Sequence, residues 1–147
     1  MFEEIDQIRN NISNNLSEML ELKKTVKNKE LEKQDLMKDL FMGIIDVIDS
    51  FENKQNSLSE KYSSESENAK IIKSYSSIKT QLINLLKKYG VTIIEFPENR
   101  LITGFSKVVG TEPDPKKRND IILEIVRNGY IRGHEVIREA EIIIVKN

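Results

Sequence analysis

The stretch IDQIRNNISNNLSEMLELKKTV, from Ile5 to Val26, decides the fold. Ile5, Ile8, Ile12, Leu16, Met19, Leu22 and Val26 recur at steps of three and four, averaging about 3.5 residues, the spacing of a coiled-coil seam. The pattern lapses through the polar run Lys27 to Asp35 and resumes at Leu36, Leu40, Ile44, Val47 and Phe51. The steps there sum to an eleven-residue period, which reduces or reverses left-handed supercoiling. No proline interrupts the segment, and Gly43 is its only glycine. One helix over about residues 3–52 follows, its seam running on the order of 70 Å at 1.5 Å per residue. A chain of 147 residues cannot fold back over so long a stripe. Self-association is the simplest cover; a place in a larger hetero-complex is the other.

Moving outward, the segment from about 53 to 68 carries Ser57, Ser59, Ser63, Ser64 and Ser66. Serines compete for backbone hydrogen bonds, so a polar loop is expected. Ile71, Tyr75, Ile78, Leu82, Leu85 and Tyr89 then alternate steps of four and three, and Gly90 follows as a C-terminal stop. This predicts a second helix over about 69–89, antiparallel to the end of the first. Two such hairpins would form a dimeric four-helix bundle, giving a helical dimerisation domain over 1–90. The expected dimer interface is Ile5, Ile8, Ile12, Met19, Leu22, Val26, Leu36, Leu40, Ile44, Val47, Phe51, Ile78, Leu82 and Leu85.

From Val91 the composition changes. Val91 to Phe96, Lys107 to Val109 and Ile121 to Val126 read as strands, with a long polar connection over 111–120. Asn128-Gly129 is a hairpin signal. The final run, Glu141 to Val145, is nearly all apolar and is expected to be a central strand. Residues 91–147 are thus predicted to form a compact, mostly antiparallel β-domain, and the fold class is α+β.

Composition excludes several functions. With 23 basic and 24 acidic residues there is no basic excess to attract nucleic acid. There is no cysteine, hence no disulfide, thiolate or zinc–sulfur chemistry. The acidic, amphipathic start is unlike a signal peptide, and no apolar run approaches a membrane span, so a cytoplasmic location is expected. No glycine-rich phosphate loop is present, so no cofactor or small-molecule ligand is expected. His134, the one histidine, reads as a surface turn residue, because Glu135 beside it would point to the opposite face of a strand. Asp46 and Asp49 share a helix face but read as solvated surface. Lys23-Lys24 and Lys116-Lys117-Arg118 read the same way. Neither a catalytic nor a metal-binding set emerges.

Taken in order, several of these segments resemble one family. Ile44-Ile45-Asp46-Val47-Ile48-Asp49-Ser50-Phe51-Glu52 resembles the GrpE helix motif, Lys88-Tyr89-Gly90-Val91 its exit into the β-domain, and Ile125 to Tyr130 its Gly-Tyr hairpin. Val136 to Lys146 is similar to its closing strand. The order and spacing agree from about Leu36 to the C-terminus. The chain departs from the pattern at Asp46, where the motif has proline, at Glu135 and Glu139, and over Asn99 to Gly110, where a Phe-Asp-Pro-x-x-His stretch is missing.

The resemblance implies a non-enzymatic dimer that inserts its β-domain into the nucleotide-binding domain of a DnaK-type chaperone and promotes ADP release in protein folding and the stress response. Carried over, the chaperone-binding residues are Lys23, Lys24, Gly129, Tyr130 and Arg138. Hairpin packing accounts for Gly129 and Tyr130 equally well, while the guanidinium fork of Arg138 suits a carboxylate on the partner. The resemblance also implies heat sensing by melting of the long helices, which the lapse at Lys27 to Asp35 would favour. A coiled-coil adaptor of GrpE-like fold serving a different protein is the alternative.

Overall fold

In a computed structural model, residues 1–61 and 66–147 are described, with the side chains of 61 and 66–68 left aside. Helix α1 spans Phe2–Lys61 and α2 spans Ser66–Lys88. The strands are β1 Val91–Ile93, β2 Ser106–Glu112, β3 Ile122–Arg127, β4 Tyr130–Arg132, β5 Glu135–Arg138 and β6 Ala140–Val145. The chain divides into two compact units, Met1–Asp39 and Leu40–Asn147.

The first unit is a single stretch of helix. Glu3 and Glu4 sit in its first turn, where carboxylates complement the positive end of the helix dipole. Ile5, Ile8, Ile12, Leu16, Met19, Leu22, Val26 and Leu36 are all exposed, so the seam is bare in the single chain.

The second unit holds the core. Here α1 is apolar on two sides. Phe41, Ile45 and Ile48 are buried, while Leu40 and Val47 stay exposed. The expected stripe captured the outer face and missed the inner one. Helix α2 packs alongside, with Phe51 and Tyr75 rings 5.6 Å apart and Lys79 Nζ 3.3 Å from Glu52 Oε1. Ile78 and Leu85 remain exposed; Ile44, Phe51 and Leu82 are half-buried.

Of the loop expected over 53–68, residues 53–61 continue α1 and residues 66–68 open α2. Ser59 donates its hydroxyl to the Gln55 carbonyl one turn back, satisfying inside the helix the group expected to break it. Leu58 is half-buried. Ser63 and Ser64 lie outside the described residues. At the other end, α2 stops at Gly90, whose φ of +78° is the left-handed conformation glycine adopts without strain.

The β-domain has two three-stranded sheets, ordered β1-β4-β5 and β2-β6-β3. The first is wholly antiparallel; in the second β6 pairs parallel to β2 and antiparallel to β3. β6 is therefore central, as its unbroken apolar run predicts, and Ile142, Ile144 and Ala140 form a core with Ile122, Phe96 and Leu101. Strand β1 ends earlier than expected, because its partner β4 begins at Tyr130, opposite Ile93; the chain then turns at Pro97, with positive φ at Glu98 and Asn99.

Asn128-Gly129 is not a hairpin turn. β3 and β4 belong to different sheets, and the two-residue turn falls at Gly133-His134 between β4 and β5, where Gly133 has φ +59°. Gly129 serves close approach instead. A Cβ there would lie 2.5 Å from the Ala140 backbone nitrogen and 2.8 Å from Ile94 Cδ1. Gly129→Ala should destabilise the β-domain by about 1–3 kcal/mol, the range for overpacking a tight site. Denaturant unfolding followed by hydrogen exchange at β6 will measure it; an unchanged midpoint would contradict this packing.

Candidate functional site

The carboxylate of Asp49 is the point where α1 meets both sheets. Arg138, on β5, donates from Nη1 to Asp49 Oδ2 at 2.7 Å and from Nη2 to Oδ1 at 3.0 Å, a fork-to-fork pair. Arg127, at the end of β3, donates from Nε to Asp49 Oδ2 at 2.6 Å. One turn earlier, Asp46 Oδ1 accepts from Arg127 Nη2 at 3.1 Å and lies 3.7 Å from Arg138 Nη1. Arg138 also donates to the Asn128 carbonyl from Nη2 at 2.7 Å and from Nε at 3.2 Å, tying the connection between sheets to β5.

The cluster is graded from dry to wet. The side chains of Arg138 and Asp49 are 10% and 13% exposed, whereas Arg127 and Asp46 are 40% and 59% exposed. Burial pushes the Asp49 carboxyl up. Hydrogen bonds from Arg138 and Arg127, then their charges, outweigh it and hold the group below its ordinary 3.8. The Asp49 hydrogen bond likewise raises the Arg127 guanidinium.

Beneath the cluster lies Tyr130, 1% exposed, with the Arg138 guanidinium 5.4 Å from its ring centroid. Its hydroxyl is buried, with no hydrogen-bond partner among the described residues. Burial pushes the phenol up to about 12, with Asp49 adding to the shift. Phe41 makes the adjoining layer, under Arg132 at 5.2 Å, while Arg132 Nε donates to the Tyr89 carbonyl at 3.1 Å.

This geometry revises the site expected from the sequence. Tyr130 is core, and Gly129 is packed against backbone, so neither presents a contact surface. The Arg138 fork pairs with a carboxylate within the chain, that of Asp49. Asp49 is not solvated surface. The two arginines and two aspartates are far apart in sequence, and their only sequence signal is the three-residue step from Asp46 to Asp49 on one helix face. Lys23 and Lys24 are exposed in the first unit. His134 sits exposed in the β4–β5 turn. The β-domain does expose apolar residues on β2 and β3: Val108, Val109, Ile125 and Val126.

Among the described residues no group of three or more His, Cys, Asp or Glu could hold a metal ion, and no helix is long and apolar enough to cross a membrane. Ion pairs that lock a small β-domain to a helix, beside bare apolar faces, define an interaction protein.

The GrpE family model matches residues 1–146, and the chain belongs to the GrpE family. It is 27% identical over 158 aligned residues to Protein GrpE of Prochlorococcus marinus strain AS9601, covering 92% of this chain and 64% of that one. Against Protein GrpE of Ehrlichia chaffeensis identity is 29%, covering 69% of this chain and 48% of the relative. Against Protein GrpE of Picrophilus torridus it is 36%, covering 47% and 37%. The chain thus spans between about half and two thirds of the length of the first two relatives.

Removing one member of a buried pair strands the other, which costs about 3 kcal/mol or more. Asp49→Asn should therefore lower stability at neutral pH by that order. A depressed folded pKa gives stability that is present above the unfolded value and lost as pH falls through the folded one. The gap between wild type and Asp49→Asn should hold above pH 3.8 and close below it. A gap independent of pH would contradict the assignment.

Proposed function

We propose that this protein is a nucleotide exchange factor for a DnaK-type chaperone, acting as a homodimer in the cytoplasm in protein folding and the stress response. Membership of the GrpE family across residues 1–146 is the observation that carries this reading. The helices supply the dimer through the apolar residues left exposed on α1 and α2. The β-domain enters the cleft of the chaperone's nucleotide-binding domain and holds it open, and ADP leaves.

Exchange is linkage: binding the open cleft in preference to the closed one must weaken ADP by the factor by which ADP weakens the exchange factor. Only differential affinity moves the equilibrium, so a wedge of fixed shape is required. A β-domain held to α1 through Asp49 has that property. In this reading Val108, Val109, Ile125 and Val126 are the apolar contacts, and Lys23 and Lys24 contact the chaperone from the long helix. Gly129, Tyr130 and Arg138 shape the wedge without touching the partner. No catalytic group or cofactor takes part.

A second reading is a coiled-coil adaptor of the same fold for a different protein. The segment from Asn99 to Gly110 motivates it. There the chain lacks the family's Phe-Asp-Pro-x-x-His stretch and holds the end of the 3-10 turn Pro97–Asn99, a turn at Gly104 and the first five residues of β2.

Release of labelled ADP from a cognate DnaK-type chaperone separates the two. Saturating protein should accelerate release, and Lys23→Ala with Lys24→Ala should raise the concentration needed by roughly tenfold, since each lost charged contact costs on the order of 1 kcal/mol. Binding without acceleration would favour the adaptor.

A further inference from the structure

Asp49 accepts one guanidinium from each sheet, Arg138 from β1-β4-β5 and Arg127 from β2-β6-β3. Among the described residues no strand pairing joins the two sheets; the short connections at Asn128-Gly129 and Glu139 and the Ile94 N–H to Gly129 carbonyl bond link them, and this carboxylate ties both to α1. Asp46 adds an outer arm through Arg127. It occupies the position where the family's helix motif carries proline, which has no carboxylate to offer. Glu141 on β6 faces the same guanidinium at 4.0 Å.

We infer that Asp49 is a positioning residue, and that with Asp46, Arg127 and Arg138 it forms a two-armed clamp that fixes the pose of both sheets on α1. The inference rests on the exchange reading in one respect: the clamped pose is what lets the wedge discriminate an open cleft from a closed one. The inner arm, Asp49 with Arg138, is nearly dry and resists salt; the outer arm, Asp46 with Arg127, is wet and is screened by it. Tyr130 completes the device by stacking under Arg138, so that losing Asp49 frees a guanidinium over an apolar core.

The chain has no cysteine, so labels can be placed at will. Spin labels at Lys54→Cys on α1 and Thr111→Cys on β2 both occupy exposed positions. With labelled protein diluted into excess unlabelled protein, the wild-type distance distribution should be narrow. Asp49→Asn combined with Asp46→Asn should broaden it, with helix content and β6 hydrogen-exchange protection retained. In the ADP-release assay the same variant should keep its half-saturating concentration within about threefold while its maximal acceleration falls about tenfold, because a wedge that adapts to both cleft states shifts neither.

If the inner substitution unfolds the β-domain, Asp46→Asn alone weakens the outer arm, leaves both arginines on Asp49, and should broaden the distribution at low salt as high salt does in the wild type. An unchanged distance distribution in these variants overturns the clamp. A broadened distribution with full maximal acceleration overturns its role in exchange. If the wild type itself fails to accelerate ADP release, the exchange reading falls, and the distance measurement still decides the clamp.

Discussion

One carboxylate, that of Asp49, holds an unusual share of the second unit together. It receives a bidentate pair from Arg138 and a third hydrogen bond from Arg127, and so ties a helix to two sheets that share no strand pairing. Desolvating a carboxylate and a guanidinium costs several kcal/mol per ion, and only good geometry with further hydrogen bonds offsets it. Both conditions are met here, since Arg138 also bonds the Asn128 carbonyl and stacks on Tyr130. Such a pair adds little net stability compared with apolar packing. Its contribution is directional: it permits one arrangement of the three elements and penalises the others.

The surrounding packing follows the same demand. Gly129 lets the chain pass against the start of β6 with no side chain between. Phe41, Ile45 and Ile48 form the buried inner face of α1, with Arg132 of β4 over the Phe41 ring, and Tyr130 fills the space under the clamp.

Much of this architecture was legible in the sequence because periodicity reports burial. The seam from Ile5 to Val26, the second helix to Gly90 and the central position of β6 all follow from spacing or from an unbroken apolar run. Serines were a poorer guide, since Ser59 bonds back into α1 and the helix runs on to Lys61. Asn128-Gly129 misled for a related reason: a glycine needed for close approach looks in sequence like one needed for a turn. The clamp was illegible because its members stand 78 to 89 residues apart, and nothing local marks Asp49 as buried. Periodicity finds one face of a helix well; on α1 it found the outer face and passed over Phe41, Ile45 and Ile48.

That outer face carries the functional account. Leu40, Val47, Ile78 and Leu85 stay exposed in the second unit, and the whole seam from Ile5 to Leu36 is exposed in the first. Apolar surface on that scale marks an interaction site. We propose that a second copy of the same chain covers it. Sedimentation equilibrium of the purified protein at micromolar concentration tests this most directly. The account predicts a single species of twice the 17.0 kDa chain mass, dissociating only with loss of helix. A stable monomer of 17.0 kDa with its helices intact would contradict it.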